Sequence, residues 1–406
     1  MRKFLDKFIR RRSPEAHRAG RAYQCRCGRP VFFANSYCLA CNAALGYEPD
    51  LGRVVAIEPV PGNEEWRSVG RVPGAHRAYR RCANLNTPAA CNWLISDLDK
   101  IEKFEGLCIA CRLNHTIPDL SVPENGVLWG RIELAKRRLV SVLLAMEMPV
   151  TSKEEDPARG LAFDFLRSPK EGPRILTGHT NGLITLNIEE ADPATRERIR
   201  EQLSEPYRTV LGHLRHEVGH YYWERFIPGT QWIDEFRRLF GDERADYSDS
   251  LKRHYAEGPP ADWHLRFVSS YASSHPWEDW AETWAHILHM ADTLATAMSF
   301  GLDPRKLDLE IEPFPADALY QPEEPTAARF LTFLNSWIAL SAVMNEMSRG
   351  MGLPDFYPFV LPRAVVTKLH FIYMVVRQER EGLRAEPSTA LDQVTEPPAV
   401  APQLVV

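Results

Sequence analysis

His216-Glu217-Val218-Gly219-His220 sets two imidazoles four residues apart, with a carboxylate beside the first. On an α-helix, residues i and i+4 share a face, so both rings can reach one divalent ion. Glu217 is close enough to take a proton from a water that such an ion activates. The chemistry this pattern suggests is metal-assisted hydrolysis, with zinc as the metal and Glu217 as general base. Gly219 has no side chain, so a neighbouring element can approach this helix closely. A chain with thirteen histidines also produces such a pattern by chance. Moreover, a catalytic zinc needs a third protein ligand and one open position.

The segment SSHPWEDWAETWAHILHM offers that ligand. At about 100° per residue, His275, Glu278, Glu282, His286 and His289 fall within about 80° of one another. Trp277, Trp280, Trp284, Ile287 and Leu288 fall opposite. No Lys or Arg occurs from 267 to 304. Exposed helical faces usually carry both signs of charge, whereas imidazoles and carboxylates alone suit a cation. The competing reading is a solvated acidic face, and Glu278 and Asp279 also suit a helix N-terminus on dipole grounds. Tyr271, His275 and His289 are candidates to stabilise an oxyanion. Tyr221 and Tyr222 read as packing residues. Asp242, Glu243, Arg244 and Asp246 read as surface ion pairs, with carboxylates behind the metal ligands as the alternative.

All eight cysteines lie between positions 25 and 111. Cys25, Cys27, Cys38 and Cys41 form two close pairs, suited to two knuckles around one tetrahedral Zn²⁺. Cys82, Cys91, Cys108 and Cys111 form a second, looser set of four. With no export signal in view, disulfides are disfavoured, and two structural zinc sites are expected. His76 is a possible replacement ligand, but an exposed or core histidine is the simpler reading.

The elements that must position these groups follow from periodicity. Strands are expected at RVVAIEPV, around Trp66 and at LAFDFLR, with a hairpin at Asn181-Gly182. GLITLNI is the candidate edge strand, able to hold an extended peptide by its backbone, with an ordinary half-buried strand as the equal alternative. Helices are expected over 126–147, closed by Pro149, and from PATRERIREQL. The motif helix is expected from SEPYRTVLGHLRHEVGHYYWERF, with Ser204 or a near neighbour as cap and Pro206 in its first turn. Further helices are expected at WIDEFRRLF, DYSDSLKRHYA, PWEDWAETWAHILHMADTLATAMSF, TAARFLTFLNSWIALSAVMNEM and AVVTKLHFIYMVVRQER.

The chain has 406 residues and a net charge of -5, so nothing global pulls it to nucleic acid or membrane. Residues 1–22 depart from this balance, with eight Lys/Arg against two acids and Phe4, Leu5, Phe8 and Ile9 at helical spacing. This arm reads as a basic helix packed on the adjoining domain, with contact to anionic lipid or nucleic acid as the alternative. No run of eighteen apolar residues occurs, so no transmembrane segment is expected and the cytoplasm is the expected location.

E-D-W-A-E resembles the E-x-x-A-E segment of gluzincin metallopeptidases, whose first glutamate is the third zinc ligand. The resemblance makes Glu278 that ligand and Glu282 a partner that orients a ligating histidine. More of the chain resembles a bacterial family of zinc-binding metallopeptidases with an N-terminal zinc ribbon. The cysteine set, HEVGHYYW, FRRLFGDERADYSDSLKRHYAEGPP and SYASSHPWEDWAETWAHILH carry that likeness, from about Cys25 to residue 350.

The expectation is therefore an α+β protein. A basic arm (1–22) precedes a zinc-ribbon module (23–120), a mostly helical zincin-like domain with a small antiparallel sheet (121–382) and a disordered Pro-rich tail (383–406). It would bind one catalytic and two structural Zn²⁺ and hydrolyse a peptide or protein substrate. The ribbon would meet a protein or nucleic-acid partner. The rival reading is a non-catalytic regulatory protein whose ribbon and basic arm bind nucleic acid or protein, using the peptidase fold as scaffold.

Overall fold

The structure is a computed structural model that describes residues 21–385 apart from 71–77, 97–98, 100–103, 105, 170 and 203–207. The basic arm up to residue 20, His76, Ser204, Pro206 and the tail beyond 385 lie outside the described residues.

The cysteine-rich part is built of short strands. β1 (Tyr23–Gln24) and β2 (Pro30–Val31) pair antiparallel around the first knuckle. Next along the chain is a five-stranded antiparallel meander: β3 (Ala44–Glu48), β4 (Arg53–Pro59), β5 (Trp66–Val69), β6 (Ala78–Arg81) and β7 (Leu94–Ser96). The strands expected at RVVAIEPV and Trp66 are β4 and β5.

β8 (Asn114–Thr116) then leads into α1 (Pro123–Ala145), whose Pro123 takes the first helical position, where no backbone donor is needed. β9 (Ala162–Leu166), β10 (Gly178–Thr180) and β11 (Leu183–Asn187) complete a second sheet with order β10-β11-β9-β8. Asn181 and Gly182 both have positive φ, 54° and 76°, and close the β10–β11 hairpin as their types predict. GLITLNI is not the edge strand. It forms β11, between β10 and β9 and parallel to the latter, and the edge beside the hairpin is β10. Apolar alternation marks a half-buried strand equally well at the edge or inside a sheet.

The remaining described elements are helical: α2 (Pro193–Gln202), α3 (Val210–Phe226), α4 (Ile233–Phe240), α5 (Tyr247–Glu257), α6 (Pro276–Ser299), α7 (Ala327–Gly350) and α8 (Arg363–Ala385). The motif helix α3 starts later than expected. Thr209 caps it, its hydroxyl accepting from the Gly212 amide at 2.9 Å, so Ser204 and Pro206 precede the helix. α8 runs to Ala385, three residues past the expected boundary.

Among the described helices α7 alone is long and apolar enough to cross a membrane, but Phe330, Phe333, Trp337 and Leu340 on it are buried in the protein core. That core is continuous. One apolar cluster runs from Tyr23 and Cys25 through Tyr47 and Trp93 to Trp129, Tyr222, Trp284 and Val376. The cysteine-rich strands and the helices are therefore packed together.

Candidate metal centre

α3 and α6 cross at Gly219. A Cβ there would lie 2.9 Å from the Ala281 Cα, so only glycine allows this approach. The Trp280 indole N–H donates to the Gly219 carbonyl at 2.9 Å and locks the crossing. Tyr222, Trp284 and Trp280 stack behind it, at 4.9 and 6.0 Å between centroids. Tyr221 and Tyr222 pack as expected, their hydroxyls donating to the carbonyls of Arg159 and Pro149.

This crossing brings His216, His220 and Glu278 together across the fifty-seven intervening residues. The two Nε2 atoms are 3.1 Å apart. Glu278 Oε2 lies 2.9 Å from His216 Nε2, and Oε1 lies 3.5 Å from His220 Nε2. Ligands about 2.0–2.1 Å from a tetrahedral zinc stand roughly 3.3 Å apart, so these spacings fit one ion. The donor set of two imidazoles and one carboxylate also fits, and all three residues are buried. Burial disfavours a charged His216 ring, yet Glu278 and Glu282 outweigh it and raise the ring well above the usual histidine range. Burial likewise opposes charge on Glu278, but His220 and His216 hold its carboxyl well below the usual range. The pocket is thus built for positive charge among these three groups.

Their supports are specific. His216 Nδ1 lies 2.7 Å from Glu282 Oε1, and Ser269 donates to the other Glu282 oxygen at 2.7 Å. Such a partner fixes the tautomer and direction of a ligating ring. Glu282→Gln is expected to weaken zinc binding at this centre about 10- to 100-fold, read by competition with a chelator. The Tyr247 hydroxyl donates to Glu278 Oε1 at 2.7 Å. Trp277 packs on His220 at 4.0 Å between ring centroids, and His179 from β10 stacks on it at 6.3 Å.

The helical stripe is only partly realised. His275 precedes α6 as its cap, Nδ1 accepting from the Trp277 amide at 3.1 Å, while Nε2 meets the Ala245 carbonyl at 3.1 Å. Both ring nitrogens are engaged, which leaves no donor for an oxyanion. His289 accepts from Arg215 at 2.6 Å, and His286 bonds the Tyr357 hydroxyl; neither joins the metal cluster. A shared face does not mean shared depth, since His289 sits eleven residues, about 16 Å along the axis, beyond Glu278.

Trp277, expected opposite the stripe, instead covers His220, because side chains in the first turn lean back past the helix start. Tyr271 does reach the centre, 6.0 Å from the His216 ring. Burial first, then Glu278, raises its hydroxyl well above the ordinary tyrosine range, so it stays an O–H donor. Asp242 pairs with Arg244, Glu243 with Arg237, and Asp246 caps α5, all apart from the metal ligands. Tyr247, next in sequence to that cap, carried no metal-ligand signal. Its role appears only once α5 packs beside α6.

The eight cysteines gather in the two expected groups of four. Sγ spacings are 3.6 Å for Cys25–Cys41, 3.8 Å for Cys27–Cys38 and 3.6 Å for Cys91–Cys108. These are too long for a disulfide and match the ~3.8 Å separation of thiolates each 2.3 Å from a tetrahedral zinc. Gly28, at φ 81°, returns its amide to the Cys25 carbonyl and closes the first knuckle. Cys27 and Cys41 are exposed, whereas the second group is fully buried.

Two cysteine knuckles ahead of a helix pair that converges on a His-His-Glu cluster define a zinc-binding protein of metallopeptidase type. The comparisons give the particular family. Residues 125–375 match the family described as "Putative zinc-binding metallo-peptidase", and residues 22–122 match a zinc-ribbon domain. The chain belongs to that metallopeptidase family. Similar proteins include an uncharacterized protein of Mycobacterium tuberculosis, 41% identical over 358 residues, or 88% of this chain and 95% of that protein. An uncharacterized protein of Mycobacterium bovis is similar to the same extent. No solved structure matches the chain.

Proposed function

We propose that this chain is a gluzincin-type, zinc-dependent peptidase that hydrolyses a peptide or protein substrate. The observation that carries this reading is the buried His216–His220–Glu278 cluster with Glu217 beside it. His216, His220 and Glu278 would hold the ion and leave one position open. Zinc bound there supplies Lewis acidity, polarising the scissile carbonyl and lowering the pKa of a water to about 7. Glu217 Oε2 is buried without a hydrogen-bond partner among the described residues, so it is free to take that water's proton. Glu217 then returns the proton to the leaving amine. Tyr271 keeps its proton and offers the O–H best placed to meet the developing oxyanion. Tyr247 holds Glu278 in place. Each cysteine group would hold one structural zinc, giving three ions in all.

Metal stoichiometry tests the assignment. Purified wild type is expected to hold three zinc ions per chain and His216→Ala two, by elemental analysis. Equal contents would remove the catalytic centre.

A second reading draws on the first knuckle, where Phe32, Tyr37 and Leu39 are 61%, 54% and 84% exposed. Such a surface suits a protein or nucleic-acid partner of the ribbon. Salt-dependent nucleic-acid binding that His216→Ala leaves unchanged would favour this regulatory role.

A further inference from the structure

His213 precedes Glu217 by four residues on α3, so its ring shares that face of the helix. Its Nε2 lies 3.6 Å from Glu217 Oε1, and its Nδ1 lies 2.7 Å from Glu190 Oε2. Glu190 belongs to the short 3₁₀ turn Ile188–Ala191 after β11 and is itself buried. Thr177 donates to Glu190 Oε1 at 2.5 Å, and Arg208 donates to Oε2 at 3.3 Å. A carboxylate held on both oxygens cannot follow a turning ring, so Glu190 fixes how His213 points. Because a carboxylate only accepts, His213 Nδ1 must carry the proton in that bond. Nε2 is left aimed at the general base.

We infer that His213, clamped by Glu190, is a positioning residue for Glu217: its Nε2–H holds Oε1 and leaves Oε2 to meet the reacting water. This rests on the peptidase reading above. The geometry repeats the order of base, orienting ring and anchoring acid that governs activated groups generally. The 3.6 Å gap exceeds a formed hydrogen bond, but catalytic contacts commonly tighten once substrate fills a site. Burial opposes a charged His213 ring, yet Glu190 outweighs it and raises the ring above the usual range, while Glu190 itself falls to about 2. A ring that faces a carboxylate from each nitrogen meets both as a donor when each nitrogen bears hydrogen. In the proposed step the water's proton passes to Oε2 and on to the leaving amine, and the His213 protons stay where they are.

Two readouts on the zinc-loaded full chain test this. With ¹⁵N-labelled histidine, the His213 Nε2–H resonance is identified by its loss in His213→Gln. It is expected to shift in both Glu190→Gln and Glu217→Gln; a signal that Glu217→Gln leaves unmoved overturns the contact, whatever the protein hydrolyses. On a quenched fluorescent peptide library, Glu190→Gln is expected to lower kcat about 10- to 100-fold, with KM and zinc content unchanged. Added imidazole should restore part of the activity to His213→Ala and none to Glu217→Gln. Unchanged kcat in both Glu190→Gln and His213→Ala also overturns the proposal. A wild type that cleaves nothing instead sinks the peptidase reading, while the resonance still decides whether His213 holds Glu217.

Discussion

Glu217→Gln is expected to keep all three zinc ions while its kcat on a peptide substrate falls about 10²- to 10⁴-fold, the usual contribution of a positioned general base. Gln has the shape of Glu and a hydrogen-bonding side-chain oxygen, but its amide cannot accept a proton at neutral pH. Glu217 is not one of the three grouped ligands and is only 4% exposed, so the isosteric change should disturb neither the cluster nor the core. KM should stay close to wild type, because the lost interaction belongs to the transition state. Parallel measurement of zinc content and hydrolysis decides the matter. A variant that hydrolyses as fast as wild type removes Glu217 from the chemistry. One that loses zinc as well shows that the residue supports the site rather than the proton transfer.

The second large effect is expected away from the chemistry. Asp292 on α6 is 5% exposed and receives three guanidinium groups. Arg138 from α1 lies at 2.7 Å, Arg215 from α3 at 2.8 Å and Arg21, ahead of β1, at 3.0 Å. Arg215 is the neighbour of His216, so this one carboxylate ties the start of the ribbon to both helices of the metal centre. Asp292→Asn leaves the buried Arg215 and the partly buried Arg21 and Arg138 without their counter-charge and is expected to cost about 3–5 kcal/mol, read by denaturant unfolding of the zinc-loaded protein. A loss below about 1 kcal/mol would show that the cluster is not central to stability.

Its pH dependence has a definite sign. Burial alone would raise the Asp292 carboxyl, but Arg21, Arg138 and Arg215 prevail and hold it well below the usual carboxylate range. A carboxyl lowered by folding stabilises fully above its unfolded pKa of about 3.9, and that contribution fades as pH falls further. The gap in stability between wild type and Asp292→Asn should therefore be constant near neutrality and narrow below about pH 4. A gap that instead narrows as pH rises from neutrality would contradict the pairing.

Much of the site was legible because it depends on short, periodic spacings. His216 and His220 must share a face wherever their helix goes, and the C-x-C and C-x-x-C pairs are local turns. Gly219 announced a close approach, and the structure supplies Ala281 there. The Asn181-Gly182 hairpin and the helical segments after residue 226 followed from equally local rules. The errors arose where periodicity was asked for more than direction. A helical wheel placed His289 with Glu278 but ignored the rise along the axis, and alternation in GLITLNI could not tell an inner strand from an edge.

Sequence alone determined the candidate ligand types, the carboxylate beside the first histidine and the division of cysteines from histidines, since each rests on contacts within a few residues of chain. Tertiary structure alone decided that Tyr247 holds Glu278 and that Glu190 and His213 stand behind Glu217. It likewise joined Arg21, Arg138 and Arg215 at Asp292. These partners are common residue types separated by tens to hundreds of positions. Only the packing of α3 against α6, with α5 and the β11 turn alongside, excludes water and brings their polar atoms within bonding distance.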